Sequence, residues 1–86
     1  MKINYDLKVY PNPVINVMAI NVLDIKESSS LYLLDSLGHL VWSTRIGENF
    51  EKYYLDINKL PIKGGTYQLV INSDTYLGTK NIILLK

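Results

Sequence analysis

Leu31-Tyr32-Leu33-Leu34-Asp35-Ser36-Leu37-Gly38-His39-Leu40-Val41-Trp42-Ser43-Thr44-Arg45-Ile46 sets two apolar runs on either side of one turn signal. The Asp35 carboxylate can accept backbone N–H bonds across the turn, and Gly38 supplies an angle that other residues resist. In the second run Leu40, Trp42, Thr44 and Ile46 share one parity, while Val41, Ser43 and Arg45 share the other, which is the period of a strand. The stretch predicts a hairpin of Leu31–Leu34 and Leu40–Ile46, with Trp42 on the inward face and structural roles for Asp35 and Gly38.

The same grammar extends in both directions. Ile3, Tyr5, Leu7 and Val9 alternate with Lys2, Asn4, Asp6 and Lys8, predicting a first strand with one buried face. Pro11 and Pro13 remove two backbone donors and bias Tyr10 and Asn12 away from helical angles, so the ladder stops there or passes to another sheet. Val14 to Val22 is apolar on both parities, and Asp24 to Ser30 reads as a turn. Downstream, Gly47-Glu48-Asn49 breaks the chain before a run in which Tyr53, Leu55 and Ile57 share a face. Asn58 to Gly65 is too short for an ordinary helix. Tyr67, Leu69 and Ile71 define the next strand, and Thr75 to Leu85 the last, with Gly78 expected as a bend or bulge. Seven short strands at this spacing, with no sustained period of 3.6, predict an all-β sandwich of two antiparallel sheets.

Composition narrows what such a fold can do. A chain of 86 residues supports a single domain over residues 1–86 with one small core. The formal net charge of +1 gives no field to hold nucleic acid or an anionic membrane. Without cysteine there is no disulfide, thiolate nucleophile or thiolate metal site. His39 is the one histidine and has no second imidazole to share a metal; as an acid or base it would need a positioned partner and a cleft. The eight acidic residues show no calcium-loop spacing. No catalytic residue, metal site or cofactor is therefore expected, and an enzyme is the least favoured class. No stretch approaches the roughly 20 apolar residues of a transmembrane segment. No apolar signal region opens the chain, so an exported domain would take its export signal from elsewhere in a longer parent or would itself be the address.

Val9-Tyr10-Pro11-Asn12-Pro13 followed by an apolar run resembles the start of the C-terminal sorting domain of the Bacteroidetes type IX secretion system. Similar blocks follow in the family's order: Tyr32 with Asp35-Ser36-Leu37-Gly38-His39-Leu40-Val41, Leu55-Asp56-Ile57 with Leu60, Gly65-Thr66-Tyr67-Gln68-Leu69-Val70-Ile71, and Lys80-Asn81-Ile82-Ile83-Leu84. The resemblance implies an immunoglobulin-like antiparallel β-sandwich of about seven strands, excised from a larger exported protein. It further implies a non-catalytic signal that takes N-terminal cargo domains through the periplasm to the cell surface or extracellular space. The partners it implies are the outer-membrane secretion machinery and a cell-surface sortase that removes such domains and joins cargo to an anionic lipopolysaccharide. Three positions depart from the pattern. His39 stands where a basic residue is common, Pro61-Ile62-Lys63-Gly64 lengthens the connection before Gly65, and Asn81 stands where a second lysine is often seen.

Each candidate has a structural and a functional reading. Tyr10, Pro11, Asn12 and Pro13 form a recognition turn or merely steer the chain between sheets, Asn12 being able to cap the turn with its side chain. Gly65 permits a turn or close approach, and Tyr67 is expected in the core with its hydroxyl bonded to a loop. Lys80, Ile82, Ile83, Leu84 and Lys86 form either a recognition strand with an exposed edge and a basic patch or an ordinary strand whose lysines protect its edge. Seven tyrosines and Trp42 keep open an accessory module that binds carbohydrate or another surface ligand. A structural or adhesive module pairing through edge strands is the remaining alternative.

Overall fold

The computed structural model describes residues 1–48 and 50–86; of the break expected at Gly47-Glu48-Asn49, Asn49 lies outside the described residues. Among the described residues there are eight strands: β1 (Ile3–Asn4), β2 (Lys8–Tyr10), β3 (Val17–Asn21), β4 (Ser29–Leu34), β5 (Leu40–Ile46), β6 (Lys52–Asp56), β7 (Gly65–Asn72) and β8 (Tyr76–Leu84). A 3-10 turn at Ile57–Lys59 is the one helical element among them. One sheet has five strands in the order β1-β8-β7-β4-β5, and the other has three in the order β2-β3-β6. The chain is thus an all-β sandwich, as the punctuation of the sequence predicts.

The first run is the largest departure from expectation. It is split between the sheets: β1 pairs in parallel with β8, and β2 pairs antiparallel with β3. A strand that switches sheets closes a corner of a sandwich. This accounts for the extra strand and for a parallel strand pair among ladders that are otherwise antiparallel, the isolated Val14–Leu84 bridge being parallel as well. The second run is also shorter than predicted, because Val14 makes only an isolated bridge to Leu84 and pairing with β6 begins at Val17. Its ambiguous parity resolves with Met18, Ile20 and Val22 buried, and with Ile15 and Val17 exposed.

The inward faces close into one core. Leu31 and Leu33 of β4, Tyr67, Leu69 and Ile71 of β7, and Ile82 and Leu84 of β8 meet Val9, Met18, Ile20 and Leu55 of the smaller sheet. Burial of each such aliphatic side chain contributes about 1.5–3 kcal/mol. Trp42 packs half-buried at the side of the core, tilted against Tyr53 with ring centroids 6.0 Å apart.

The expected inward stripe of β5 fails at its first residue. Trp42 lies opposite Leu33 but Leu40 lies opposite Leu34, so Val41 is the extra residue of a bulge. One inserted residue reverses side-chain parity. Leu40 therefore leaves the core face and is 60% exposed. The bulge expected at Gly78 is absent: the β7–β8 register runs without a shift from Gly65↔Leu84 to Asn72↔Leu77.

Candidate functional site

Tyr10-Pro11-Asn12-Pro13 leaves β2 and lays Asn12 along the outer edge of β8. Both X-Pro bonds in this turn are cis. The Asn12 side-chain amide donates through Nδ2 to the Asn81 carbonyl and accepts through Oδ1 from the Ile83 N–H, each at 3.1 Å. A primary amide carries a donor and an acceptor in peptide-like spacing, so Asn12 serves β8 as one peptide group of a neighbouring strand would. Its partner is thus a strand distant in sequence, whereas the sequence pointed to capping of its own turn.

Strand β8 is correspondingly not the open edge that its terminal position suggested. At one end the Ile3 and Tyr5 N–H groups donate to the Thr75 and Leu77 carbonyls. At the other, the Val14 N–H donates to the Ile83 carbonyl at 2.7 Å and the Leu85 N–H donates to the Val14 carbonyl at 2.8 Å. Thr79 and Lys80 lie between these covers. The expected basic bracket is also divided. The Lys86 ammonium donates to the Leu60 and Ile62 carbonyls at 2.8 and 2.7 Å, holding the long Pro61–Gly64 connection against the chain end. Lys80 faces solvent. Ile82 and Leu84 are core residues, and Ile83 points outward.

The hairpin turn is organised by Asp35. Its Oδ1 accepts from the Leu37 and His39 N–H groups, both at 2.9 Å. Gly38 has φ +84° and donates its N–H to the Asp35 carbonyl at 3.0 Å. A left-handed φ of this kind favours glycine. The His39 N–H bond chiefly holds the Asp35 carboxyl below its ordinary value, with Leu37 and the nearby His39 ring adding to it. His39 Nδ1 lies 3.4 Å from Asp35 Oδ2, so the histidine is tied to this turn.

Gly65 opens β7 at φ +147°, where no side chain would clash but where glycine relieves the backbone. Two residues on, the Tyr67 ring is buried and its hydroxyl donates to the Lys63 carbonyl at 2.7 Å. The turn before β7 is thereby fixed to the sandwich.

Two features had no distinct sequence signal. The Glu27 carboxylate accepts from the Thr75 N–H and the Thr75 hydroxyl, both at 2.8 Å, joining the β3–β4 connection to the β7–β8 turn. Bonds from Ser73, then Thr75, lower its pKa. On the outer face of the smaller sheet Tyr10, Ala19 and Tyr54 form one cross-strand row, with Lys52 Nζ 5.6 Å from the Tyr10 ring centroid. The Tyr10 hydroxyl is also the leading cause of a raised Lys52 pKa. Lysine scattered among tyrosines has no spacing in sequence; only strand pairing makes the row.

Among the described residues no three His, Cys, Asp or Glu side chains converge as a metal site, and no helix is long and apolar enough to cross a membrane. The chemistry on offer is that of turns, edges and an aromatic row. The family model described as secretion system C-terminal sorting domain matches residues 8–85, from β2 through β8. No curated protein matches the chain.

Proposed function

The chain belongs to the secretion system C-terminal sorting domain family, the sorting signal of type IX secretion, and from that premise we propose that residues 1–86 form one folded address for a larger exported cargo. The family membership implies interaction with the secretion machinery and export to the cell surface or extracellular space. Beyond that, the domain presents the turns at Tyr10–Pro13 and Asp35–Gly38 and the entry to β7 at Gly65, which Tyr67 anchors from the core, with Lys80 and Ile83 of β8, as a fixed surface for the outer-membrane machinery. It is then a substrate for a cell-surface sortase that attaches the cargo. The role is carriage, and catalysis has no part in it.

The observation that supports this reading is the coincidence of the family match with the best-fixed surface features. Asn12 locks the first turn to β8, Asp35 locks the hairpin, and Tyr67 locks the entry to β7. A recognition surface held rigid before binding avoids the ordering cost at the moment of contact. Fusion of residues 1–86 to the C-terminus of a periplasm-directed reporter, in a bacterium with this system, tests the reading. The reporter is expected outside the cell. Retention in the periplasm, while a positive-control domain carries the same reporter out, rejects it.

The Tyr10–Ala19–Tyr54 row favours a second reading as a carbohydrate-binding module. Tyr10 and Tyr54 are 44% and 63% exposed and flank a small residue, an arrangement that can stack on a sugar ring. Trp42 is not part of it, being packed against Tyr53. Tyrosine fluorescence titrated with a glycan panel tests this, and a flat response to every glycan excludes it.

A further inference from the structure

Among the described residues, the edges of the two sheets are blunted in every case but one. Strand β1 has two residues and β2 three. The outer edge of β8 is covered by the N-terminal arm, Asn12 and Val14. Strand β6 opens with Lys52 and ends with Asp56. Strand β5 is seven residues long, Leu-Val-Trp-Ser-Thr-Arg-Ile, with no lysine, proline or acid. Its bulge lies at the start, so Trp42 to Ile46 keeps unbroken register with β4, and among the described residues no strand pairs with its other side. Proteins ordinarily guard an edge of this length and polarity.

The surroundings define what would fit. On the outer face Arg45 shares a row with Ser30 and Asn72, Ser43 with Tyr32 and Val70, and Leu40 with Leu34 and Gln68. The Arg45 guanidinium donates to the Ser30 and Ser28 hydroxyls, each at 2.9 Å. Neither ion pair among the described residues involves it, and two hydroxyl acceptors leave further guanidinium donors free. On the inner side of the same edge Trp42, Tyr53 and Phe50 form an aromatic shelf, with the second pair of ring centroids 6.4 Å apart.

We propose that β5 is a docking edge to which an extended segment of a different polypeptide adds as a further strand, with a carboxylate in the row of Arg45 and an apolar side chain in the row of Leu40. Backbone bonds would supply the grip and the two rows the selectivity. A second copy of this chain fits less well. Full antiparallel overlap of β5 with itself would set Arg45 opposite Val41 and offer neither arginine a carboxylate, since the strand has no acid. The proposal deepens the sorting reading and rests on it for the partner's place in the secretion machinery.

The test uses the isotope-labelled chain and a blocked hexapeptide, Thr-Glu-Val-Thr-Val-Leu, whose antiparallel docking, with the bulged Val41 left out of register as it is against β4, puts Glu opposite Arg45 and Leu opposite Leu40. Titration to millimolar peptide, followed by amide NMR, is expected to shift and protect Trp42–Ile46. A peptide with Lys in place of Glu should bind at least about tenfold more weakly, as expected for like charges directly opposite. R45E, with a dispersed spectrum showing that it is folded, should reverse that preference. Absence of β5 shifts with either peptide, equal binding of both, shifts centred on Thr79–Lys80, or protection of β5 by self-association alone would each overturn the proposal. These measurements need no secretion machinery, so their failure leaves the reporter test of sorting intact. Conversely, a retained reporter with peptide bound at β5 rejects sorting alone.

Discussion

Gly78 lies so close beneath Tyr5 that a Cβ at position 78 would stand 2.6 Å from the Tyr5 carbonyl oxygen and 3.1 Å from Ile71 Cγ2. The N-terminal arm crosses between the sheets at this point, and the Tyr5 N–H is tied to the Leu77 carbonyl at 3.0 Å. Glycine is present here to let one backbone pass over another. Gly78→Ala should therefore destabilise the domain by about 1–3 kcal/mol, the range for overpacking against groups that cannot yield. Urea unfolding measures this, and an unchanged midpoint would show that the arm lifts away freely.

Asn12→Ala removes both amide bonds to β8, leaving the Asn81 carbonyl and the Ile83 N–H without their protein partner. The loss should be about 1–2 kcal/mol. Removing the cover also extends the open stretch of β8 beyond Thr79 and Lys80, so light scattering should reveal concentration-dependent association that the parent chain does not show. Stability and monomeric behaviour equal to the parent's would argue that Asn12 is free for other partners.

Tyr67 offers a graded pair of substitutions. Tyr67→Phe keeps the buried ring and loses only the bond to the Lys63 carbonyl, for an expected cost of about 1 kcal/mol. Tyr67→Ala empties the ring's place in the core and should cost roughly 3 kcal/mol. Equal effects of the two, read from denaturant midpoints, would mean that the ring contributes nothing beyond its hydroxyl.

Acid should weaken the fold from the carboxylate side. Asp35 and Glu27 both have folded pKa values below their ordinary ones, the first chiefly through the His39 N–H bond and the second through Ser73 and Thr75. A depressed pKa means that the charged form is favoured by folding. The contribution is fully present above the unfolded carboxylate range, near about pH 4, and is lost as pH falls through the lower folded values. Urea midpoints measured through the acid range should fall below that point, and Asp35→Asn combined with Glu27→Gln should flatten the fall. An acid limb of unchanged slope in the double variant would show that these two groups do not govern it.

Periodicity made the hairpin legible because β4 and β5 are adjacent in sequence and share one turn. Asp35, Gly38 and the span Leu40–Ile46 needed only local chemistry. Leu40 was misplaced because a bulge is a property of two strands together, and the residue that becomes extra depends on how both twist. The N-terminal alternation was right about Leu7 and Val9, which face inward, but wrong about Ile3, which is exposed on β1, because periodicity is silent about the change of sheet between Asn4 and Lys8.

The sequence by itself determined the all-β class, the turn positions and the family, since these depend on residue order and on local preferences for backbone angle. Only the tertiary structure decided that Asn12 and Val14 cover the end of β8, that Lys86 holds the Leu60–Ile62 connection, and that β5 is left as a bare edge among the described residues. Those outcomes depend on backbone groups finding side-chain or backbone partners more than 20 residues away, and a backbone donor or acceptor looks the same at every position until the fold selects its neighbour.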